Sequence, residues 1–155
     1  MNKNYALVTG STAGIGLDIA KELAEKGHNI ILTARREERL KDISTQLTED
    51  FKIHCDYVVA DLSEITAPET IFKFCSDRNY SIDILVNNAG YSINKKFHET
   101  AEDEEEKFLR VLGISVIALT KKFIPEMLDR KYGKIMIVSS LASFAPPSSG
   151  WGALY

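Results

Sequence analysis

The chain has 155 residues, of which 45% are hydrophobic and 26% charged, and its formal net charge is −3. This length suits one compact domain, and the small negative charge gives no reason to expect binding to nucleic acid or to a membrane surface. No apolar run approaches the roughly 18 residues that a membrane-spanning helix needs. Residues 1–4 lead directly into an apolar segment without a signal-peptide pattern, so we expect a cytoplasmic protein.

Segments typical of strands and helices alternate through the first third of the chain. Residues 5–9 predict a first strand, and a glycine-bearing turn joins it to a helix that stops at Gly27. Residues 29–33 predict the second strand, residues 37–47 the second helix and residues 53–60 the third strand. The apolar residues expected on one face of the first helix are Ile15, Ile19, Ala20 and Leu23.

The alternation continues through the rest of the chain. Thr66 and Glu69 form a capping-box pattern that predicts the start of the third helix. Residues 82–86 predict the fourth strand, because they form a continuous apolar run. Thr100 and Asp103 form a second cap pattern, which predicts a long helix that ends near Arg130. Residues 134–139 predict a fifth strand.

The order of these elements predicts the fold class. Five strands alternate with four helices, and the strands are apolar runs rather than alternating patterns. Helices that cover both faces of a parallel sheet produce such runs. We therefore predict an α/β fold, a Rossmann-type doubly wound parallel sheet, in a single domain of residues 1–155.

The first turn carries the strongest chemical signal, and it reads Thr9-Gly10-Ser11-Thr12-Ala13-Gly14-Ile15-Gly16. A helix N-terminus presents unpaired N–H groups and the positive end of the helix dipole, so anions bind there. The three glycines permit a tight turn, close approach of a diphosphate and close packing of helix on sheet. A flexible loop whose glycines only start a helix is the alternative. The position after the first strand favours a dinucleotide site.

Four further motifs follow in order, and the first three stand at the ends of predicted strands. They are Asp61-Leu62 after the third strand, Asn87-Asn88-Ala89-Gly90 after the fourth, Ser139-Ser140 at the end of the fifth, and Tyr155. Together with the GxxxGxG spacing of the turn, they make the chain resemble the classical type of the short-chain dehydrogenase/reductase family. The resemblance covers essentially the whole chain.

The resemblance implies hydride transfer between a nicotinamide coenzyme and a small-molecule alcohol or carbonyl substrate. It assigns Tyr155 as the acid/base and Ser140 as the hydroxyl that polarises the substrate oxygen. A strand-end turn hydroxyl and an ordinary aromatic residue are the alternatives for these two. The implied coenzyme-binding residues are Gly10, Ser11, Thr12, Gly14, Ile15, Gly16, Arg35, Asp61, Leu62, Asn88, Ala89 and Gly90. Asp61 has an alternative role in a helix-capping turn, and we expect Asn87 to brace its loop.

The end of the second strand indicates which coenzyme is used. NAD-binding sites normally carry Asp or Glu at this position to hold the ribose 2′-OH, whereas this chain has Ala34 followed by Arg35 and Arg36. An arginine pairs with a 2′-phosphate through charge-assisted hydrogen bonds. We predict NADP(H) in preference to NAD(H), with Arg35 as the main contact. Alternatively, both arginines only begin a solvated helix.

Two departures from the family pattern concern catalysis. The family lysine expected four residues after Tyr155 falls beyond the sequence, so we expect a truncated family domain whose isolated form is inactive. The alternative is a non-catalytic fragment that binds a dinucleotide or a partner subunit.

Truncation also predicts that the fifth strand is an exposed apolar edge, over residues 135–138. The family's helix asparagine aligns with Leu112, which has no hydrogen-bonding side chain.

The remaining features predict no metal site. Cys55 and Cys75 lack metal-ligand spacing and suggest a reducing compartment. The acidic run 102–106 is better explained by the favourable position of negative charge at a helix N-terminus. The 107–130 helix is apolar beyond one face, so we expect either burial within the chain or contact with a second copy in a homo-oligomer.

Overall fold

In the computed structural model, which describes residues 3–141, five parallel strands form one sheet in the order β3-β2-β1-β4-β5. The strands are β1 Lys3–Thr9, β2 Asn29–Ala34, β3 Cys55–Val59, β4 Tyr80–Asn87 and β5 Lys134–Ile137. The helices are α1 Gly14–Glu25, α2 Glu37–Phe51, α3 Ala67–Asp77, α4 Glu102–Leu109 and α5 Ser115–Asp129. A 3₁₀ turn, Phe97–Glu99, precedes α4, and a π-turn, Arg110–Ile114, separates α4 from α5. The predicted α/β fold class is confirmed.

The sheet has two apolar faces because successive strand residues point to opposite sides. Tyr5 and Leu7 of β1 face a core built with α3 and α5, whereas Ala6 and Val8 face a core built with α1 and α2. The helix residues in the first core include Ile71, Cys75, Leu119, Phe123 and Met127. Those in the second include Ala20, Ala24, Leu40, Ile43 and Leu47. Helices therefore cover both faces, as the apolar strands predicted.

The strand order reverses at β1. The chain moves from β1 through β2 to β3 on one side, and then returns to β4 and β5 on the other. The carboxyl ends of β1 and β4 consequently lie side by side, with Val8 paired to Val86. In open α/β sheets, ligands bind in the crevice beyond the strand ends at this kind of reversal.

Both predicted helix caps are wrong in detail. Thr66 already has helical backbone angles, so its hydroxyl does not cap α3, and Glu69 pairs with Lys122 of α5 instead. At α4 the N-cap is Ala101, because the Thr100 hydroxyl donates to the Lys96 carbonyl. Glu104 supplies the carboxylate half of a capping box by accepting the backbone N–H of Ala101 at 3.4 Å.

Among residues 3–141, β5 forms one edge of the sheet, and its exposure matches the prediction except at Val138. Ile135, Met136 and Ile137 are each exposed, whereas Val138 is half-buried against the core that includes α1 and α2. The strand ends at Ile137, two residues earlier than predicted, and the Val138 N–H still donates to the Asn87 carbonyl at 2.9 Å. This contact holds the segment that leads to the serines beside the end of β4.

Candidate functional site

In the glycine-bearing turn, only some of the backbone N–H groups are available to a ligand. Gly10 and Gly14 have φ values of +67° and +53°, a region that favours glycine. The N–H groups of Gly10 and Ser11 both donate to the Thr33 carbonyl, at 2.9 and 3.4 Å. These two amides therefore hold the turn against β2. Ala13, at the N-cap of α1, has no side-chain acceptor to offer, so the amides of the first helical turn remain for an anion.

Two of the glycines are required by close packing. A Cβ atom on Gly10 would lie 2.8 Å from the Cα atom of Ala89. One on Gly16 would lie 2.3 Å from the Nδ2 atom of Asn88 and 2.5 Å from the Gly10 carbonyl oxygen. Around Gly14, by contrast, the position of a Cβ atom is open. Gly10 and Gly16 thus let the turn meet the loop after β4, and Gly14 leaves a gap at the start of α1.

The loop after β4 is fastened to this turn by hydrogen bonds. The Asn88 side-chain N–H₂ donates to the carbonyl of Thr9 at 2.9 Å and to that of Gly10 at 3.4 Å. The Thr9 hydroxyl accepts the backbone N–H groups of Asn88 and Ala89. Asn88, expected to bind the coenzyme, lines the narrower of the two cavities described below, and its amide nitrogen also braces the turn. The neighbouring Asn87 is buried and also braces, donating to the Thr120 hydroxyl at 3.5 Å.

Two cavities meet beyond the strand ends. The wider one has a volume of about 880 Å³ and lies beside the ends of β2 and β3. The narrower one has a volume of about 460 Å³ and lies beside the end of β5. Four residues line both of them, namely Gly10, Ala13, Ala89 and Gly90. The two cavities therefore form one elongated cleft that crosses the reversal point of the sheet.

Three cationic side chains line the wider cavity. Arg35 and Arg36 at the end of β2 and Lys107 at the end of α4 all line it. Arg36 donates to the Thr12 hydroxyl at 3.0 Å, which connects the start of α2 to the glycine-bearing turn. Arg36 is also the exposed N-cap residue of α2, so the helix-start role that was the alternative for the arginines is present beside this contact. Ser11, expected to bind a ligand, is fully buried, and its hydroxyl donates to the Thr33 carbonyl at 3.4 Å.

The end of β3 supplies a polar and an apolar wall of the wider cavity. Asp61 and Leu62 both line it, as expected. One oxygen of the Asp61 carboxylate accepts the backbone N–H of Ser63 at 3.0 Å and the Ser63 hydroxyl at 2.8 Å. The turn role that was the alternative for Asp61 is therefore present, and it coexists with a position on the cavity wall.

Tyr91 is a wall residue that the sequence analysis missed. Its ring packs edge-on against Phe108, with centroids 5.4 Å apart, and it lines the wider cavity together with Lys107. Burial raises the pKa of the Tyr91 phenol, and the nearby positive charge of Arg35 partly opposes that rise. The position directly after Asn-Asn-Ala-Gly was the signal that could have identified this residue.

The serine pair and several apolar side chains line the narrower cavity. Ser139 and Ser140 line it beside Ile137 and Val138 of the β5 segment. Ile15 also lines it and is 63% exposed, so Ile15 does not belong to the buried face of α1 as its spacing had suggested. Tyr155, the expected acid/base, lies outside the described residues.

The described residues offer neither a membrane-spanning helix nor a cluster of metal ligands. Within residues 3–141, no helix combines the length and the apolar composition that crossing a bilayer requires. The same stretch contains no group of three or more His, Cys, Asp or Glu side chains arranged to hold a metal ion. Three acidic residues of α4 pair with cations: Asp103 with Lys107, Glu104 with Lys95 and Glu106 with Arg110.

Comparison with known proteins agrees with this geometry. The family model for short chain dehydrogenase matches residues 4–153. Hydroxysteroid dehydrogenase-like protein 1 from Gallus gallus is 37% identical over 145 residues, which cover 92% of this chain and 43% of that relative. The chain thus spans about half the length of the curated relatives it matches.

Solved structures show the same fold with coenzyme bound. L-Sorbose reductase from Gluconobacter frateurii, complexed with NADPH and L-sorbose, is 28% identical with a TM-score of 0.84, over 92% of this chain and 56% of that one. A metagenomic short-chain oxidoreductase in complex with NADP is 29% identical with a TM-score of 0.88, over 97% of this chain and 68% of that one.

Proposed function

Because the chain belongs to the short chain dehydrogenase family, we propose that the protein holds NADP(H) across its two cavities and exchanges a hydride between this coenzyme and an alcohol or carbonyl compound. Residues 1–155 act as one nucleotide-binding domain in this proposal. The adenosine half occupies the wider cavity beside β2 and β3. The nicotinamide half occupies the narrower one beside the serine pair.

The charge at the end of β2 is the observation that carries the coenzyme assignment. Ala34 stands where a carboxylate would accept a ribose 2′-OH and repel a 2′-phosphate. Arg35 and Arg36 line the wider cavity directly beside it. Guanidinium groups bind phosphate through charge-assisted hydrogen bonds, often two at once. The NADPH and NADP complexes of the structural neighbours support the same choice.

The start of α1 fits a diphosphate. No side chain caps this helix at Ala13, so the first-turn amides, including those of Ile15 and Gly16, have no local acceptor. The open space at Gly14 gives an anion access to them. The hydrogen bonds from Asn88 to the turn hold these donors in a fixed position before a ligand arrives. Such preorganisation lowers the cost of binding.

The narrower cavity supplies the groups for substrate chemistry. A bound nicotinamide supplies or accepts the hydride. Ser140, on the cavity wall, holds the substrate oxygen by a hydrogen bond. Tyr155 moves the proton at that oxygen, donating it when a carbonyl is reduced and accepting it when an alcohol is oxidised.

Coenzyme binding and turnover test this function separately. Titration calorimetry of the purified protein is expected to give a lower Kd for NADPH than for NADH. NADPH consumption against a panel of ketones and aldehydes then tests catalysis. Residues 1–155 by themselves are expected to show little or no turnover, whereas in a longer form of the protein Ser140→Ala is expected to remove activity and Ser139→Ala, its matched control, to retain most of it. Absence of binding to either coenzyme overturns the proposal. Tight binding without turnover in such a longer form supports a non-catalytic dinucleotide-binding module instead.

The outer face of α5 suggests a second copy of the chain as partner. Ile117 and Leu128 are more than half exposed and lie three helical turns apart on one side, with Ile114 beside them. We therefore propose a homo-oligomer through the 107–130 helix. Sedimentation analysis is expected to show a dimer or larger species that Ile117→Lys dissociates, whereas Ile65→Lys, at another exposed isoleucine, does not. A monomeric protein would contradict this arrangement.

A further inference from the structure

The helix that borders the cleft changes its winding where the two cavities meet. The π-turn Arg110–Ile114 lies between α4 and α5. Such turns accommodate an extra residue within a helix and frequently occur at functional sites. Val111 of this turn lines the wider cavity, whereas the next residue, Leu112, lines the narrower one. Two consecutive side chains of the π-turn thus line the two different cavities of the cleft.

Leu112 also lies against the wall that the cavities share. Gly90 is one of the four residues that line both of them. A Cβ atom added to Gly90 would lie 3.0 Å from the Cδ2 atom of Leu112, which is closer than ordinary van der Waals contact. The next nearest atom is the Asn88 carbonyl oxygen, at an unstrained 3.9 Å. The Leu112 methyl group therefore packs directly against Gly90, on the wall that the two cavities share.

We propose that Leu112 sets the width of the passage between the two cavities and thereby controls entry of the nicotinamide half of the dinucleotide. This role rests on the proposed coenzyme function and adds a positioning residue to it. Leucine has no hydrogen-bonding group, so it acts by size and shape. A larger side chain at this point obstructs the narrower cavity without reaching the wider one, where Leu112 is not part of the wall.

Two ligands separate this role from a general structural one. NADPH spans both cavities, whereas 2′,5′-ADP carries only the adenosine half with its 2′-phosphate. We expect Leu112→Phe to weaken NADPH binding by about tenfold, in line with the usual cost of overpacking, and to leave the Kd for 2′,5′-ADP unchanged. Leu109→Phe, the same substitution at an exposed position of α4, is the control and is expected to change neither Kd.

A double-mutant cycle tests the contact itself. Gly90→Ala is expected to weaken NADPH binding relative to 2′,5′-ADP, because the new methyl group and Leu112 compete for space. Adding Leu112→Ala removes that competitor and is expected to restore NADPH binding. This pair also keeps the proposal testable if Leu112→Phe does not fold, as judged by circular dichroism.

The outcomes distinguish this inference from the coenzyme proposal. Wild-type protein that binds neither ligand overturns the proposed function and this role together. Wild-type protein that binds both, with a Leu112→Phe variant that weakens both equally or neither, overturns the role of Leu112 alone. Failure of Leu112→Ala to rescue Gly90→Ala also overturns it.

Discussion

Thr9 and Thr33 lie opposite each other on neighbouring parallel strands, and each is 1% exposed, yet their hydroxyl groups have opposite surroundings. The Thr9 hydroxyl donates to the Val86 carbonyl at 3.2 Å and accepts the N–H groups of Asn88 and Ala89 at 2.9 and 3.0 Å. The Thr33 hydroxyl has no hydrogen-bond partner anywhere in residues 3–141. Thr9 therefore ties β1 to the loop on which both cavities depend.

This pair provides a matched test. Thr9→Val keeps the shape of the side chain but leaves two backbone N–H groups and one carbonyl without this partner. We expect it to lower the free energy of unfolding by about 1–3 kcal/mol and to weaken NADPH binding. Thr33→Val is expected to be neutral or slightly stabilising, because it removes a buried hydroxyl that has no partner. Urea unfolding measures both, and equal losses for the two variants would contradict this interpretation.

Coenzyme preference is expected to follow the charge beside β2. Ala34→Asp places a carboxylate near a 2′-phosphate, so we expect the ratio of NADH to NADPH affinity to rise by tenfold or more. Arg35→Ala is expected to weaken NADPH by a similar factor and to leave NADH nearly unchanged. Arg39→Ala, which removes an equal charge from the exposed side of α2, is the control. An unchanged preference in Ala34→Asp would refute the assignment of NADP(H).

Two glycines are expected to respond differently to alanine. Gly16→Ala forces a Cβ atom to within 2.3 Å of Asn88 Nδ2 and 2.5 Å of the Gly10 carbonyl oxygen, and this backbone oxygen cannot easily move. We expect a loss of at least about 2 kcal/mol in stability, together with loss of NADPH binding. Gly113→Ala meets open space and is expected to keep both properties. Thermal unfolding and a coenzyme titration measure the contrast, and a stable Gly16→Ala variant would show that the turn can relax.

The two cysteines, of which Cys75 is buried and Cys55 half-buried, predict an alkaline loss of stability. Burial raises the pKa of the Cys55 and Cys75 thiols to about 12, from ordinary values of 9.0. The unfolded chain therefore releases these protons first as the pH rises, so the contribution of each thiol is present below about pH 9 and falls between about pH 9 and 12, by up to about 1.4 kcal/mol per pH unit.

A cysteine-free variant checks the sign of this effect. Cys55→Ala with Cys75→Ala is expected to flatten the decline in unfolding free energy between about pH 9 and pH 10.5. Some slope remains, because burial also raises the pKa of the Tyr5 and Tyr80 phenols. Comparison of slopes rather than absolute stabilities corrects for the lost packing of the thiols. Identical slopes in the two proteins would mean that the thiols do not titrate differently on unfolding.

The helix caps show the limit of prediction from local sequence patterns. Thr66 and Thr100 both had the residue types of a cap. Helix α3 does begin directly after Thr66, but the Thr66 side chain caps no N–H group, and at α4 the N-cap is Ala101 rather than Thr100. A cap depends on the backbone angles of a single residue, and packing of the whole helix sets those angles. Glu69 likewise found a tertiary partner, Lys122, in place of its expected local one. Leu40, Ile43 and Leu47, which recur at helical spacing in α2, are in contrast all buried, because one helix face must cover the sheet.

The amino-acid sequence alone determined the alternation of strands and helices along the chain. It also determined two features of the cleft, the glycine-bearing turn after β1 and the arginines after β2. These features depend on backbone propensity, apolar period and residue type over a few neighbouring positions. Only the tertiary structure decided which polar groups remain for a ligand. Asn88 and Ser11 are engaged with Thr9, Gly10 and Thr33, while the π-turn places Leu112 against Gly90. Partners as far apart in sequence as Thr9 and Asn88, 79 residues, meet only when the sheet assembles, so no local pattern reveals them.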